Sequence, residues 1–251
     1  MYRLKKIIKI IIPVLCVFAV IFTIHNIPNG KLEISDVKKV SQAQGEKLVA
    51  LTFDDGPNKN TKILLNGLHK RNVKATFFIL GKKAEKNENI IIQMYKDGHL
   101  IGNHTYSHKN FLKTKTDVYL DEINRTNDII KNITGEDALF FRPPYGKYDG
   151  LRIKNVNKIS IAWSLDIIDW KHKDAAYVYN KLVKNVKDGD IILMHDVNKT
   201  TVEGVLRAID DLSEQGFEFV RVDELLNRNG KSIKSGVVYR GCKYEKNQFI
   251  F

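Results

Sequence analysis

The sequence predicts an α/β protein in which parallel strands form a sheet that is closed, or nearly closed, into a barrel. Three observations point to this class: short apolar runs alternate with longer amphipathic segments from Lys47 onward, glycines end several of the amphipathic segments, and polar side chains follow the apolar runs. Strands that alternate with helices are typical of a parallel sheet, because each helix carries the chain back to the start of the next strand. An open, doubly wound sheet is the alternative arrangement.

Seven short apolar runs are predicted as strands. In chain order they are 48–53, 74–80, 99–102, 138–141, 159–165, 190–194 and 217–221. The longer amphipathic segments between them are predicted as helices: 60–71, 82–97, 116–133, 148–157, 174–187 and 201–215. Gly98, Gly135, Gly189 and Gly216 stand where four of these helices end, as capping glycines do.

The N-terminal residues differ in character from the rest of the chain. Arg3, Lys5, Lys6 and Lys9 precede an unbroken apolar stretch, 10–24. A basic segment followed by an apolar one is typical of an export signal. No small residues in cleavage-site spacing follow it, so we expect an uncleaved membrane anchor rather than a removed signal peptide. The basic flank predicts that the N-terminus is cytoplasmic and that the remainder lies outside.

These features divide the chain into four predicted parts. Residues 1–25 are predicted as a signal-anchor helix, 26–46 as a polar linker, 47–228 as the folded domain and 229–251 as a basic tail whose function the sequence does not indicate. The expected location is the cell membrane, spanned once, with the folded domain outside. Secretion is the alternative, and the oligomeric state is not indicated.

The two cysteines and the net charge indicate which kinds of binding site and partner to expect. Cys16 and Cys242 are the two cysteines and lie far apart in the chain, so we expect neither a disulfide framework nor a thiolate metal site. The formal net charge of +12 fits either a solvated basic surface or attraction to an anionic matrix, such as wall polymers or acidic lipid headgroups. Nucleic acid is disfavoured as a partner, because the basic residues are scattered and the chain is expected to be exported.

Polar side chains follow five of the predicted strands at the point where each strand ends. They are Asp54 and Asp55, the segment 103–108, the segment 142–146, the group Asp166, Asp169 and Trp170, and the pair His195 and Asp196. Because the carboxyl ends of the strands of a parallel barrel meet on one rim, we expect these side chains to gather there. The sequence therefore predicts a functional site on that rim.

The spacing of two histidines favours a metal site. His104 and His108 can project to the same side of a turn, and two imidazoles with one carboxylate make a catalytic metal site that leaves positions open for water or substrate. Asp55 is the candidate carboxylate. Asp54 then needs another role, since adjacent residues of an extended segment point opposite ways. It is either a general base for a water molecule activated by the metal or a capping carboxylate of an ordinary turn.

Five ordered motifs resemble those of the polysaccharide deacetylase family, the NodB-like enzymes of carbohydrate esterase family 4. The motifs are TFDDGP (52–57), HTYSH (104–108), RPPYG (142–146), DIIDW (166–170) and LMHD (193–196). The resemblance extends from about Lys47 to about Leu226. It implies a distorted (β/α)7 barrel that removes acetyl groups from N-acetylated sugars in chitin, peptidoglycan or related glycans by metal-assisted hydrolysis.

The resemblance also implies roles for the reacting groups. Asp55, His104 and His108 would bind one divalent metal ion, usually zinc or cobalt. Asp54 would be the catalytic base and His195 the catalytic acid.

Supporting and substrate-binding roles follow from the same resemblance. Arg142 would hold Asp54 in place, and Asp169 would tune His195. The backbone N–H of Tyr145 would stabilise the oxyanion. Pro144, Tyr145, Trp170 and Leu193 would contact the substrate, Trp170 and Leu193 by enclosing the acetyl methyl. The alternatives are that the prolines only shape a turn and that Trp170 belongs to the core.

The expected substrate is N-acetylglucosamine in bacterial peptidoglycan, because the chain has the features of an exported bacterial protein with a basic surface. Chitin oligomers and acetylxylan are the alternatives. Enzymes of the related branch that acts on N-acetylmuramic acid typically carry Asp-Asn where this chain has Asp54-Asp55, and this difference favours N-acetylglucosamine as the substrate. Two non-enzymatic alternatives are a catalytically silent wall-binding protein on the same scaffold and a structural anchor whose role lies in the N-terminal span.

Overall fold

The computed structural model describes residues 47–230 and 232–242, together with the strands Ile24–Ile27 and Lys31–Ile34. Residues 1–23, which make up nearly all of the predicted anchor, lie outside the described residues, as does most of the predicted linker. The end of the predicted anchor falls in a strand rather than a helix. Within the described part of the chain, no helix is both long enough and apolar enough to cross a membrane.

The described residues form twelve strands and nine α-helices. The strands are β1 (Ile24–Ile27), β2 (Lys31–Ile34), β3 (Lys47–Asp54), β4 (Thr76–Ile79), β5 (Leu100–Asn103), β6 (Phe140–Phe141), β7 (Ile159–Ile161), β8 (Leu165–Asp166), β9 (Ile191–His195), β10 (Phe217–Phe219), β11 (Ile233–Lys234) and β12 (Val238–Tyr239). The α-helices are α1 (Lys59–Lys70), α2 (Gly81–Ala84), α3 (Glu88–Lys96), α4 (Thr116–Thr134), α5 (Gly150–Ile153), α6 (Asp169–His172), α7 (Ala175–Asn185), α8 (Lys199–Glu214) and α9 (Val222–Asn227). Two 3₁₀ turns lie at Phe111–Lys113 and Pro144–Gly146.

The main sheet is parallel throughout, as the sequence predicts. Its strand order is β12-β7-β6-β5-β4-β3-β9-β8, and β10 pairs with the beginning of β3. The sheet is curled into a half-barrel, and β7 and β8, which follow each other in the chain, lie near its two ends. A separate antiparallel sheet has the order β1-β2-β11.

The curled sheet is interrupted where the sequence predicts one continuous strand, 159–165. The N–H of Ala162 donates to the carbonyl of Tyr239 in β12 (2.8 Å), whereas the N–H of Ser164 donates to the carbonyl of Ile191 in β9 (3.0 Å). The chain therefore changes neighbours between these two residues, and the predicted strand is divided into β7 and β8. The strand β12, which occupies the interruption, comes from the tail whose role the sequence left unassigned.

Both faces of the sheet are buried, and β3 shows how. Val49, Leu51 and Phe53 pack against residues of α1 and α8, whereas Leu48 and Ala50 pack on the other face against side chains of β6, β7 and β9. Successive side chains of a strand point to opposite faces, so an unbroken apolar run is what a strand buried on both sides requires.

Two predicted helices differ from the observed ones. The segment 82–97 is divided into α2 and α3, because Asn87 adopts a non-helical conformation (φ −141°, ψ 40°) at the N-cap of α3. The segment 148–157 is reduced to α5, whose N-cap is Asp149; its side chain accepts the N–H of Leu151 at 2.7 Å.

Helices α7 and α8 approach so closely at Gly204 that a side chain there has no room. A Cβ atom added at Gly204 would lie 2.6 Å from the carbonyl oxygen of Ala175 and 2.7 Å from the Cβ of Val178. We expect Gly204→Ala to lower the free energy of unfolding by about 1–2 kcal/mol, because overpacking outweighs the better helix propensity of alanine. Urea denaturation measures this.

The matched control is Glu203→Ala, on the exposed side of the same turn, which should change the stability by less than about 0.5 kcal/mol. A Gly204→Ala protein as stable as the unmodified chain would contradict the close packing of these helices.

Candidate metal centre and active site

The two adjacent carboxylates at the end of β3 occupy different environments. Asp54, the last residue of the strand, is 3% exposed, whereas Asp55 is half-buried and adopts a left-handed backbone conformation (φ 69°). The predicted divergence of the two side chains assumed extended backbone, but the strand has already ended at Asp55. Lys83 donates to the Asp55 carbonyl at 2.6 Å and ties this turn to α2.

The loop after β5 brings both histidines to this turn. The Nδ1 of His104 donates to the carbonyl of Arg142 at 2.7 Å, so its Nε2 carries the free lone pair. That Nε2 lies 3.6 Å from Asp55 Oδ1 and 3.7 Å from Asp54 Oδ2, and the Nε2 of His108 lies 3.3 Å from Asp55 Oδ1. The site therefore presents imidazole nitrogens and carboxylate oxygens toward a common point.

These three side chains fit a divalent metal ion. One ligand atom from each of Asp55, His104 and His108 lies within 4.8 Å of the others. The Oδ1 of Asp55 is buried and has no hydrogen-bond partner. A buried acceptor without a partner calls for an explanation, and a role as a metal ligand provides one. Burial, followed by the neighbouring His104, lowers the pKa of His108 and favours the neutral imidazole that a metal requires. Nitrogen and oxygen donors of this kind suit zinc or cobalt.

Arg142 is buried beneath the site and binds the carboxylate of Asp54. Its side chain is completely buried, and its Nη1 donates to Asp54 Oδ1 at 2.8 Å and to the hydroxyl of Thr52 at 2.7 Å. The other guanidinium nitrogens donate to the carbonyls of Ile161 and Ala162. Burial lowers the pKa of Arg142, while the carboxylate of Asp54 opposes that shift. Four acceptors therefore fix the guanidinium, which in turn fixes Asp54.

His195 lies beside Asp54 although the two are far apart in the sequence. The strands β3 and β9 pair in parallel, with Asp54 opposite His195 in the register. Asp169, completely buried, accepts from Nδ1 of His195 at 2.9 Å and from its backbone N–H at 2.8 Å. It also accepts the hydroxyl of Thr201 at 2.8 Å. Burial alone would lower the pKa of His195, but the hydrogen bond and charge of Asp169 raise it to about 9.

The residues predicted to contact substrate divide into exposed and buried ones. Tyr145 and Trp170 are 59% and 55% exposed, so Trp170 is not part of the core. The ring of Tyr145 meets His108 edge-on with centroids 4.5 Å apart, and its backbone is left-handed (φ 62°). Pro144 is buried, as is Leu193, which lies two residues before His195 on the same face of β9.

Sequence reasoning gave no role to two threonines that support the site, and it placed Asp196 on the rim without a role. Thr52 and Thr201 position Arg142 and Asp169 through their hydroxyls. Asp196, completely buried behind the first turn, accepts the hydroxyl of Thr61 at 2.5 Å, and burial raises its pKa to about 7. A Cβ atom at Gly56 would lie 2.7 Å from Asp196 Oδ2, so only glycine fits there. Thr52 and Asp196 lie inside the quoted motifs, which was the available signal.

The contact between Asp169 and His195 predicts how kcat/KM depends on pH. If His195 acts as an acid, kcat/KM should fall as the pH rises through about 9, where the imidazole loses its proton. Asp169→Asn removes the charge that raises this pKa but not the burial that lowers it, so the basic limb should move toward 6.5 or below. The pH profile of kcat/KM measures this. A basic limb that stays near 9 in the variant would contradict the pairing.

Comparison with known proteins agrees with this geometry. A model of the polysaccharide deacetylase family matches residues 41–162. The chain is 36% identical over 204 residues to the peptidoglycan-N-acetylglucosamine deacetylase PgdA of Listeria monocytogenes. That match covers 81% of this chain and 43% of the Listeria protein. It is 39% identical over 185 residues to the peptidoglycan-N-acetylglucosamine deacetylase of Bacillus cereus, covering 70% of this chain and 67% of that protein.

The same likeness holds in three dimensions. The solved structure of a family 4 acetyl xylan esterase from Clostridium thermocellum, in complex with a cobalt ion, matches with a TM-score of 0.74 at 35% identity. That match covers 78% of this chain and 98% of the esterase chain. This chain spans less than half the length of the Listeria relative. The family resemblance predicted from the five motifs is confirmed, and the chain belongs to the polysaccharide deacetylase family.

Proposed function

We propose that this protein is a metal-dependent deacetylase that removes acetyl groups from N-acetylglucosamine residues of a cell-wall glycan, with peptidoglycan as the favoured substrate. The observation that carries the proposal is the arrangement around the Asp–His–His group. A carboxylate fixed by Arg142 and an imidazole fixed by Asp169 lie side by side on paired strands next to that group. The activities named for the Listeria and Bacillus cereus relatives support the same reaction.

Asp55, His104 and His108 would hold the metal ion, and we propose zinc, with cobalt as an alternative. A divalent ion bound there supplies a Lewis acid that polarises the acetyl carbonyl and makes water more acidic. Two imidazoles and one carboxylate are a usual zinc donor set, and the esterase structure from Clostridium thermocellum contains cobalt.

Asp54 is the proposed base. Arg142 donates a hydrogen bond to Oδ1 of Asp54 and leaves Oδ2 without this partner. Oδ2 lies 3.7 Å from Nε2 of His104, one of the proposed metal ligands. Oδ2 is therefore placed to take a proton from the attacking water. The guanidinium keeps the carboxylate in one orientation, so little reorganisation is needed as the proton moves.

His195 is the proposed acid. Its Nδ1–H is held by Asp169, so the proton available to the substrate is on Nε2. Since its pKa is raised to about 9, the imidazole is protonated at neutral pH and can donate to the departing amine. Water adds to the carbonyl carbon, the C–N bond breaks, and the products are acetate and a free amine on the sugar.

The residues of the rim are proposed to orient the acetyl group. The backbone N–H of Tyr145 would donate to the oxyanion, and its left-handed conformation is the kind of backbone strain that occurs at functional sites. Leu193 would contact the acetyl methyl from the face of β9 that carries His195. Trp170, more than half exposed, and Pro144 would border the sugar.

Domain organisation and location are proposals of the same kind. We propose that the curled sheet is the distorted seven-stranded barrel of this family, that residues 47–228 are the catalytic domain, and that 26–46 links it to a single membrane anchor in 1–25. The basic flank and apolar stretch of the N-terminus support an anchored domain outside the membrane. Secretion is the alternative.

A second candidate activity is removal of O-acetyl groups from xylan, which the name of the Clostridium thermocellum esterase favours. The same residues serve an ester, whose alcohol leaves more easily than an amine. The purified chain, stripped of metal and reloaded with zinc or cobalt, should be offered peptidoglycan, N-acetylglucosamine oligomers and acetylxylan in parallel. We expect metal-dependent acetate release that is fastest from peptidoglycan. Release from acetylxylan alone would replace the N-deacetylase with the esterase.

A further inference from the structure

The loop that carries both histidines adopts a backbone conformation that it does not favour by itself. Thr105 and His108 both have left-handed conformations (φ 70° and 65°). Non-glycine residues in this region are strained, and they persist only where the surroundings hold them. The positions of His104 and His108 therefore depend on what the rest of this loop is bonded to.

Most polar groups of the loop are bonded to α2 or to other residues of the segment 103–108. The carbonyls of Thr105 and Tyr106 accept the N–H groups of Gly81 and Lys82, both at 3.1 Å. The N–H of Thr105 donates to the side chain of Asn103 at 2.9 Å. The N–H of His108 donates to the hydroxyl of Thr105 at 3.1 Å. Ser107, which lies directly before His108, is bonded instead to a different helix, α4.

The partner of Ser107 on α4 is a carboxylate. Glu122 is only 7% exposed, and it accepts the N–H of Ser107 at 2.6 Å and the hydroxyl of Ser107 at 2.8 and 3.0 Å. Lys109 approaches it at 3.6 Å, but that side chain is nearly half exposed, so the ion pair contributes little. Hydrogen bonds to a charged acceptor are stronger than those between neutral groups.

We propose that Glu122 is a positioning residue that holds the His104–His108 loop in the shape that binds metal. Glu122 lies within the regular helix α4 (116–134), so its carboxylate ties the residue before His108 to that helix. The inference rests on the proposed function, because it takes Asp55, His104 and His108 as the metal ligands. It adds a residue outside the five motifs.

The test is metal affinity, measured apart from activity. Apoprotein variants are titrated with Zn²⁺ in competition with a chromophoric chelator, at a temperature where each is fully folded by circular dichroism. Residues that orient metal ligands typically contribute 10–100-fold to affinity, so Glu122→Ala should weaken Zn²⁺ binding by about that factor. Ser107→Ala keeps the backbone hydrogen bond and should weaken binding less. This milder variant tests the same contact if Glu122→Ala folds poorly.

Glu224 provides a matched control. Its carboxylate also accepts a backbone N–H, that of Arg221 at 2.9 Å. Arg221 in turn donates to the carbonyl of Gly98, which precedes β5. Glu224 therefore lies at the end of the strands opposite to the metal site. Glu224→Ala should lower stability and leave the Zn²⁺ affinity unchanged.

The outcomes separate the inference from the proposed function. Unchanged Zn²⁺ affinity in folded Glu122→Ala and Ser107→Ala proteins would overturn the role of Glu122, and so would an equal loss in Glu224→Ala. An unmodified chain that binds no Zn²⁺ would overturn both claims. Zn²⁺ binding that depends on Glu122, without deacetylation of any glycan, would support this inference and remove the proposed function alone.

Discussion

Replacing Asp54 by asparagine is expected to lower kcat on an N-acetylated glycan by about 10²–10⁴-fold, the usual contribution of a positioned general base. The amide can still accept the hydrogen bond of Arg142 at Oδ1, but it cannot take a proton from water. Zn²⁺ affinity should change little, because the three metal ligands remain. Activity is compared at a temperature where the variant is folded, since the buried guanidinium of Arg142 keeps its hydrogen bond but loses its counter-charge. Steady-state acetate release measures the loss.

The control for this substitution is Asp174→Asn. Asp174 caps α7 and accepts the N–H groups of Ala176 and Tyr177, and asparagine caps a helix equally well. Its activity should equal that of the unmodified chain. An Asp54→Asn protein that retains more than about a tenth of the activity would show that another group accepts the proton.

Removing Arg142 is expected to have the largest effect on stability. Arg142→Met leaves the carboxylate of Asp54 buried without its partner, and breaking a buried ion pair from one side costs about 3–5 kcal/mol. Arg71→Met is the control, since Arg71 makes a bidentate pair with Asp210 that is partly exposed and should be worth about 0–1 kcal/mol. Chemical denaturation of both variants gives the comparison.

A double variant separates the unpaired charge from the lost packing. In Arg142→Met with Asp54→Asn, the buried carboxylate is gone, so the protein should regain part of the stability lost in Arg142→Met. A single Arg142→Met variant within about 1 kcal/mol of the unmodified chain would mean that Asp54 is solvated or held by other groups.

The sequence predicted the parallel sheet well because its signal is local. Unbroken apolar runs such as 48–53 are required by strands buried on both faces, and each predicted strand overlaps at least one observed strand. The break within 159–165 was not predictable in this way. It arises because Val238 and Tyr239 of the tail pair with β7, which is a contact between distant parts of the chain.

The candidate site could be assembled from the sequence only as far as its motifs. Asp54, Asp55, His104 and His195 follow strands, and the topology of a parallel sheet brings such residues to one edge. The left-handed turn at Asp55, which decides where its carboxylate points, has no sequence signal beyond the glycine that follows.

The groups that hold the site were harder to predict. Glu122 lies in an amphipathic helix, where a carboxylate is ordinarily a solvated surface charge. The hydroxyls of Thr52 and Thr201 bond to residues distant in the sequence, so no local pattern marks them. Such partners become visible only when burial and geometry are known.

The most direct test of the whole account is the chemical state of the sugars in peptidoglycan after treatment with the metal-loaded chain. The treated polymer is digested to muropeptides, and mass spectrometry locates the free amines. We predict free amines on glucosamine, none with metal-stripped protein, and none with Asp54→Asn. Intact acetyl groups throughout, with metal demonstrably bound, would contradict the proposed deacetylase and favour a catalytically silent protein that binds the wall.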